Sequence, residues 1–314
     1  MTLKLGISSC LLGERVRYDG GHKLNHYLCD TLGPFVQWVA VCPEYECGLG
    51  IPREAMRLVG DPDNPRLMTI RTRVDLTGQM WAWISRRLDE LEREQLCGFI
   101  FKKGSPSSGY SGVKIYTESG HPGRRGMGLF ARAVVERFPH LPVEDEGRLN
   151  DAGIRENFIE RIFVYHRWQE FEAAEGSLDG LIRFHARHKL LIMAHSPSGL
   201  KELGQMVAQA GARNLPQMKA AYFDQLMRVL SLTATVRKNR NVLEHMMGYF
   251  KKELSSDEKQ ELKEWIERYY QGLVPLLVPV TLLNHYVRKY RQPYLSDQIY
   301  LNPHPRELLL RNHV

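Results

Sequence analysis

The sequence predicts an α/β domain followed by an all-α domain, with the junction near residue 148 of 314. Two textures carry this reading. Up to about Asn150, short apolar runs alternate with Gly/Pro loops and amphipathic stretches, the pattern of an open, mainly parallel Rossmann-like sheet. Beyond it, the apolar residues recur at helical spacing, with Gly, Pro or Ser at the ends of each stretch. The length leaves room for two domains.

"LKLGIS" (Leu3 to Ser8) and "FVQWVAV" (Phe35 to Val41) read as buried strands. "WAWISRRLDELEREQL" has helical periodicity. "CGFIFK" (Cys97 to Lys102) is a third strand and "VKIY" (Val113 to Tyr116) a short fourth. "GLFARAVVERF" is helical again. "PVEDEGRLND" (Pro142 to Asp151) reads as the junction, giving domains 1–148 and 149–314. The second domain follows as "IRENFIERIFVYHRWQEFEA", "GLIRFHARHKLLIMAHS", "GLKELGQMVAQAG", one long stretch from Met218 to Leu254, and "SSDEKQELKEWIERYYQGL". Ser255 or Ser256, followed by acidic residues, is a good N-terminal cap.

The composition is that of a globular protein, 43% hydrophobic and 25% charged. No apolar run approaches the ~20 residues that span a bilayer, and "MTLKLGISSC" has no secretory character. The expectation is a cytosolic protein without a membrane segment. Five cysteines, an odd number, then argue against a disulfide framework and leave metal binding, catalysis or burial. The net charge is +7 and the pI about 9.1. The first 150 residues hold 20 Lys and Arg against 18 Asp and Glu, and the remainder 23 against 18, so the excess lies mainly in the second part. That tilt fits either an ordinary basic protein or one with a phosphate-bearing partner.

In a parallel α/β sheet, ligands bind beyond the carboxyl ends of the strands. Three strands here end in unusual loops: "SSCLLGERVRYDGGHK", "CPEYECGLGIPR" and "KKGSPSSGYSG". Two open with Cys10 and Cys42. A single cysteine at a strand end is an ordinary buried residue; two at one ligand edge are less ordinary. Zinc is disfavoured because no paired-Cys or paired-His spacing accompanies them. Iron–sulfur chemistry and a cysteine nucleophile both stay open on the residues alone. Cys29 and Cys97, on apolar faces, read as structural.

These loops, with "CPEYECGLGIPREAMRL" and "GFIFKKGSPSSG", resemble the thiouracil desulfidase family. "GRLNDAGIRENFIERIF", "FHARHKLLIMAHS", "NVLEHMMGYFKKEL" and the segment from "GLVPLLVPVTLLNHY" to "YLSDQIYLNPHPRELLLR" resemble the YbgA-like helical domain that follows it in other proteins. The fusion is similar to the bacterial tRNA 4-thiouridine desulfidases. The resemblance implies non-redox sulfur removal at a 4Fe-4S cluster held by three cysteines. It implies that Cys10 and Cys42 are ligands, that Glu44 is the acid/base carboxylate and that Ser105 hydrogen-bonds the substrate. The departure is Ser108, which stands where the family usually has its third Cys. Cys47 is the expected replacement ligand, and a bystander thiol is the other reading of it.

A soft thiocarbonyl sulfur suits an open iron, and a carboxylate beside it suits proton transfer. Arg17, Asp19, Lys23, Lys103 and Ser107 are expected to bind substrate, although "RYDGG" is also a plain turn and each cation also reads as a solvated surface charge. In the helical part Arg183, Arg187, Lys189, Arg237, Lys238 and Arg240 are expected to contact RNA phosphates. The bland reading there is solvated helix faces with ordinary ion pairs. His185, His188 and His195 are expected to pack or hydrogen-bond rather than hold metal. Three functions follow: desulfuration of 4-thiouridine in tRNA, the same chemistry on free thiouracil or thio-UMP, and RNA binding without catalysis.

Overall fold

In the computed structural model, residues 2–174, 176–211 and 214–313 are described. The chain divides into two units, Met1–Phe158 and Ile159–Val314.

The first unit is built on four parallel strands in the order β2-β1-β5-β8: β1 (Lys4–Ser8), β2 (Gln37–Val41), β5 (Gly98–Phe101) and β8 (Val143–Asp145). Strands β1 and β5 are buried almost throughout, as both-face burial of a parallel sheet demands. Gly6 lets them approach: a Cβ there would lie 2.1 Å from the Phe99 ring. Helices α1 (Thr77–Glu94) and α2 (Leu129–Arg137) meet through Trp83 and Phe130, whose ring centroids are 5.4 Å apart, and Phe130 sits edge-on to Phe99 at 5.6 Å.

A second, mixed sheet was not foreseen. It runs β4-β3-β6-β7, from β3 (Met56–Val59), β4 (Arg66–Thr69), β6 (Val113–Tyr116) and β7 (Pro122–Gly126). "VKIY" therefore pairs here and not in the parallel sheet. The fourth parallel strand comes instead from "VED", inside the segment read as a junction. It is only three residues long, and its polar Asp145 is fully buried, accepting from Ser111 Oγ and the Arg148 amide.

Helix α3 (Ala152–Ala174) carries the point where the two units divide. The second unit continues with α4 (Leu178–His195), α5 (Pro197–Gln209), α6 (Leu215–Ser231), α7 (Val236–Met247), α8 (Ser256–Tyr270), α9 (Leu277–Lys289) and the short α10 (Pro293–Ser296). The stretch read as one helix from Met218 breaks after Ser231, because Thr235 caps a new helix by accepting from the Lys238 amide. Ser255 and Glu258 form a reciprocal capping box at α8. Helix α9 escaped the reading because it contains Pro279, which falls in its first turn, where the missing amide costs no intrahelical bond. The core gathers around Trp168, Tyr222, Phe250 and Tyr286.

Buried polar groups tie the C-terminal segment into this unit. Glu160, His195 and Arg311 are each at most 4% exposed. Arg311 Nη2 donates to Glu160 Oε1 at 2.7 Å, and His195 Nε2 lies 3.2 Å from Glu160 Oε2. Burial alone would push the Glu160 carboxyl up, but Arg311 and His195 outweigh it and hold it well below the usual carboxylate range. Its contribution to stability is thus fully present above the unfolded value of 4.5 and is lost as pH falls below that toward the depressed folded value. Glu160→Gln strands the Arg311 charge and is expected to cost about 3–5 kcal/mol, read by urea unfolding at neutral pH, with the difference from the parent shrinking as the pH drops below 4.5.

Candidate functional site

The three loops that follow β1, β2 and β5 converge, because those strands are neighbours in the parallel sheet. They line a cavity of about 440 Å³ with Ser8, Ser9, Cys10, Arg17, Lys23, Cys42, Glu44, Arg53, Lys102, Lys103, Ser105 and Ser108 on its wall. Backbone and side-chain bonds hold the loops together. Ser8 Oγ accepts from the Lys102 amide at 2.9 Å, joining the ends of β1 and β5. Arg53 Nη1 donates to the carbonyls of Val16 and Gly50, joining the first loop to the second. The third loop is clamped against α2: Phe130 N donates to Ser107 O, and a Cβ on Gly128 would lie 2.4 Å from that oxygen.

Glu44 is the centre of the polar network. Its Oε1 accepts from Ser105 Oγ at 2.9 Å and from Ser107 Oγ at 2.6 Å. Its Oε2 accepts from the Cys42 thiol at 3.6 Å and lies 3.9 Å from Arg53 Nη2. Ser105 Oγ also accepts from the Ser108 amide at 3.0 Å. One carboxylate is thereby fixed against two loops, with a thiol beside it. Cys10 and Cys42 are both 8% exposed. Burial pushes their thiols up, to about 11 and about 12, with Glu44 adding to the rise in each and Lys102 and Arg53 opposing it at Cys10 and Cys42 respectively.

The sequence-derived residues do not all meet here. Cys10, Cys42, Glu44, Ser105, Arg17, Lys23 and Lys103 reach the wall, and so does Ser108. Ser107 is fully buried behind it, holding Glu44. Asp19 is exposed; it accepts from the Gly21 amide, which holds its carboxyl below the usual range, and pairs with Arg17 at 3.4 Å. Cys47 is not on the wall: its thiol donates to the Glu44 carbonyl at 3.4 Å, and Gln79 Nε2 donates to its own carbonyl. Arg53 stands in the second loop by sequence but has no role assigned there, and Lys102 and Ser8 are not among the sequence-derived site residues. Lys102 pairs with Glu146, which follows β8. Their signal was position alone, at the ends of strands that open onto ligand loops.

In the second unit Arg183 and Arg187 are exposed on α4, and Lys189 lines a groove with Ile182, His185 and Leu200. Arg237, Lys238 and Arg240 share a shallow depression with Tyr270. Lys238 Nζ donates to the carbonyls of His195 and Thr233, while Arg240 pairs with Glu244 and Glu267 and stacks on Tyr270 at 4.3 Å. The histidines are hydrogen-bonded inside the unit. His185 Nδ1 meets Tyr222 Oη at 2.9 Å, His188 Nδ1 donates to Phe184 O, and His195 Nδ1 donates to Leu232 O. Burial pulls His185 and His188 down to about 4 and about 3, so both are neutral. No group of three or more His, Cys, Asp or Glu among the described residues is arranged as a metal site.

Residues 5–146 match the family model described as 2-thiouracil desulfurase. Residues 189–305 match the family described as a protein of unknown function, DUF1722. The uncharacterized protein YbgA of Escherichia coli K12 is 34% identical over 153 residues, spanning 48% of this chain and 90% of YbgA. The chain belongs to the YbgA-like family, and its residues 5–146 carry a domain that the 2-thiouracil desulfurase model matches. A solved structure, the 4Fe-4S-dependent thiouracil desulfidase TudS, is 30% identical, with 48% of this chain and 95% of that one covered and a TM-score of 0.39. All the residues that line the cavity lie within the segment 5–146 that the 2-thiouracil desulfurase model matches. Among the described residues, no helix of either unit is long and apolar enough to cross a membrane.

Proposed function

We propose that the desulfurase unit converts the thiocarbonyl of 4-thiouridine in tRNA to a carbonyl, by hydrolysis that consumes water and releases hydrogen sulfide. The observation that carries this is the meeting of Cys10, Cys42 and the Glu44–Ser105 pair on one cavity wall, in a domain of the 2-thiouracil desulfurase family.

The wall fits a 4Fe-4S cluster at two positions, since Cys10 and Cys42 are soft donors that a metal would deprotonate. At the third, Ser108 is the residue on the wall, and Cys47 lies off it with its thiol turned to the Glu44 carbonyl. Ser108 is therefore favoured over Cys47 as the third donor. A cluster held there would supply a Lewis-acidic iron for the soft substrate sulfur.

The chain's own groups account for the proton steps. Glu44 takes a proton from the attacking water and returns it toward the ring or the departing sulfur. Ser105 and Ser107 hold the carboxylate at a fixed orientation for that exchange. Arg17, Lys23 and Lys103 face the same space and are suited to a uracil oxygen or a phosphate. Asp19 holds Arg17 in place.

Anaerobically reconstituted protein is expected to remove the thiocarbonyl absorbance of 4-thiouridine from tRNA and release one sulfide per thiocarbonyl lost. Turnover of free 2-thiouracil with none on tRNA would confine the activity to small substrates. No turnover of either at full iron content would sink the reading.

A further inference from the structure

Strands β3, β4, β6 and β7 carry Arg57, Arg66, Lys114, Arg124 and Arg125 and no acidic residue at all. The strand register sorts their side chains. Leu58, Ile115 and Leu67 pair across the sheet on its buried side. One residue earlier on β3 and β6, the alternate face presents a row across the strands. Arg57 lies opposite Met68 on β4 and beside Lys114 on β6, and Lys114 lies directly opposite Arg125 on β7. Lys114, Arg124 and Arg125 are exposed.

Like charges set directly opposite each other weaken a strand pair, so the row works against the fold. Arg66 is neutralised by Glu118 at 2.6 Å and Asp75 at 3.8 Å. Arg57 lies 4.8 Å above the Tyr116 ring. Lys114, Arg124 and Arg125 form no ion pair among the described residues. The helical unit differs: Lys238 and Arg240 are engaged by carbonyls and carboxylates of their own unit.

The strand that carries Arg57 also starts at the cavity. Ala55 and Met56 line the cavity wall, and Arg57 is the next residue. Strand β6 continues from the loop that brings Ser105 and Ser108 to the same wall. From β3 to β7 the row crosses two strand spacings, roughly 10 Å.

We propose that Arg57, Lys114 and Arg125, with Arg124 at the free edge, form a docking face for the phosphate backbone of the RNA whose thiolated base enters the cavity. The inference rests on the function proposed above. The choice of RNA follows from the position of the row: a polynucleotide that places one base in the cavity must lay its neighbouring phosphates on the rim. Tyr116 adds an aromatic surface beside Arg57, suited to stacking an unpaired base.

The test uses the full chain and the triple variant Lys114→Ala, Arg124→Ala, Arg125→Ala, none of which lines the cavity. Binding to unfractionated tRNA is followed over a range of salt, alongside turnover of free 2-thiouracil. The expected result is at least about tenfold weaker binding near 0.1 M salt and a salt dependence shallower by about 2, as for three lost phosphate contacts. Turnover of the free base stays unchanged. A companion triple variant that keeps the charge, Lys114→Arg, Arg124→Lys, Arg125→Lys, is expected to bind as the parent does. Unchanged affinity and salt dependence in the alanine variant would overturn the proposal. So would a parent protein that turns over 2-thiouracil but binds no tRNA. Binding that depends on the row without turnover of any thiolated base would uphold the docking face and overturn the proposed reaction.

Discussion

Glu44→Gln is expected to lower the rate of desulfuration by about 10²–10⁴-fold, the usual contribution of a positioned acid/base group. The substitution is nearly isosteric. The amide oxygen can still accept from Ser105 Oγ and Ser107 Oγ, so the loop after β5 should keep its place. What the amide cannot do is exchange a proton with water at the pH of the assay. The same variant should leave bound iron unchanged, since the Cys10 and Cys42 thiols are untouched. A drop in iron that tracks the loss of rate would mean that Glu44 holds the site together rather than transferring protons. A second comparison separates position from chemistry. Ser107→Ala removes one donor to the carboxylate while keeping its charge, and should cost far less than Glu44→Gln.

Cys42→Ala is expected to abolish iron uptake on anaerobic reconstitution, and Cys10→Ala to do the same. Each is buried, and among the cysteines of the described residues only these two line the cavity. Cys47→Ala should keep parent levels of iron, because that thiol lies off the wall and is bonded to the Glu44 carbonyl. Ser108→Cys should slow the loss of iron to a chelator, since a thiolate replaces a hydroxyl as a donor to iron. Iron and acid-labile sulfide per chain read all four. Loss of iron in Cys47→Ala, with Ser108→Ala unaffected, would reverse the assignment of the third donor.

The candidate site was legible because its parts are local. Each ligand loop follows an apolar run and opens with Cys or with Lys-Gly, so strand ends and chemistry could be placed together from the order of residues. What the sequence hid is how side chains turn within those loops. Cys47 and Ser108 are both small residues in turn-rich segments, and the bonds of the third loop to α2 and to Glu44, which hold Ser108 on the cavity wall, join residues far apart in the chain. The second sheet was hidden for a different reason. Its strands are four or five residues long, and "PGRRG" on β7 is exposed along nearly its whole length, so it carries no alternation to read. The helical unit was readable wherever caps and periodicity agreed, as at Ser255, and obscured where Pro279 sat inside the first turn of α9. The roles of Glu160 and Arg311 were invisible because they lie 151 residues apart.

The proposed reaction brings two thiols, one carboxylate and a thiolated uracil together in one cavity. The most direct measurement is single-turnover conversion of 4-thiouridine in tRNA by the parent and by Glu44→Gln, reconstituted anaerobically and matched for iron. Uridine and sulfide in equal amounts are expected from the parent, with conversion slowed by about 10²-fold or more in the variant. Equal rates from the two proteins, or a parent that carries its iron and leaves the thiocarbonyl intact, would contradict the proposed reaction.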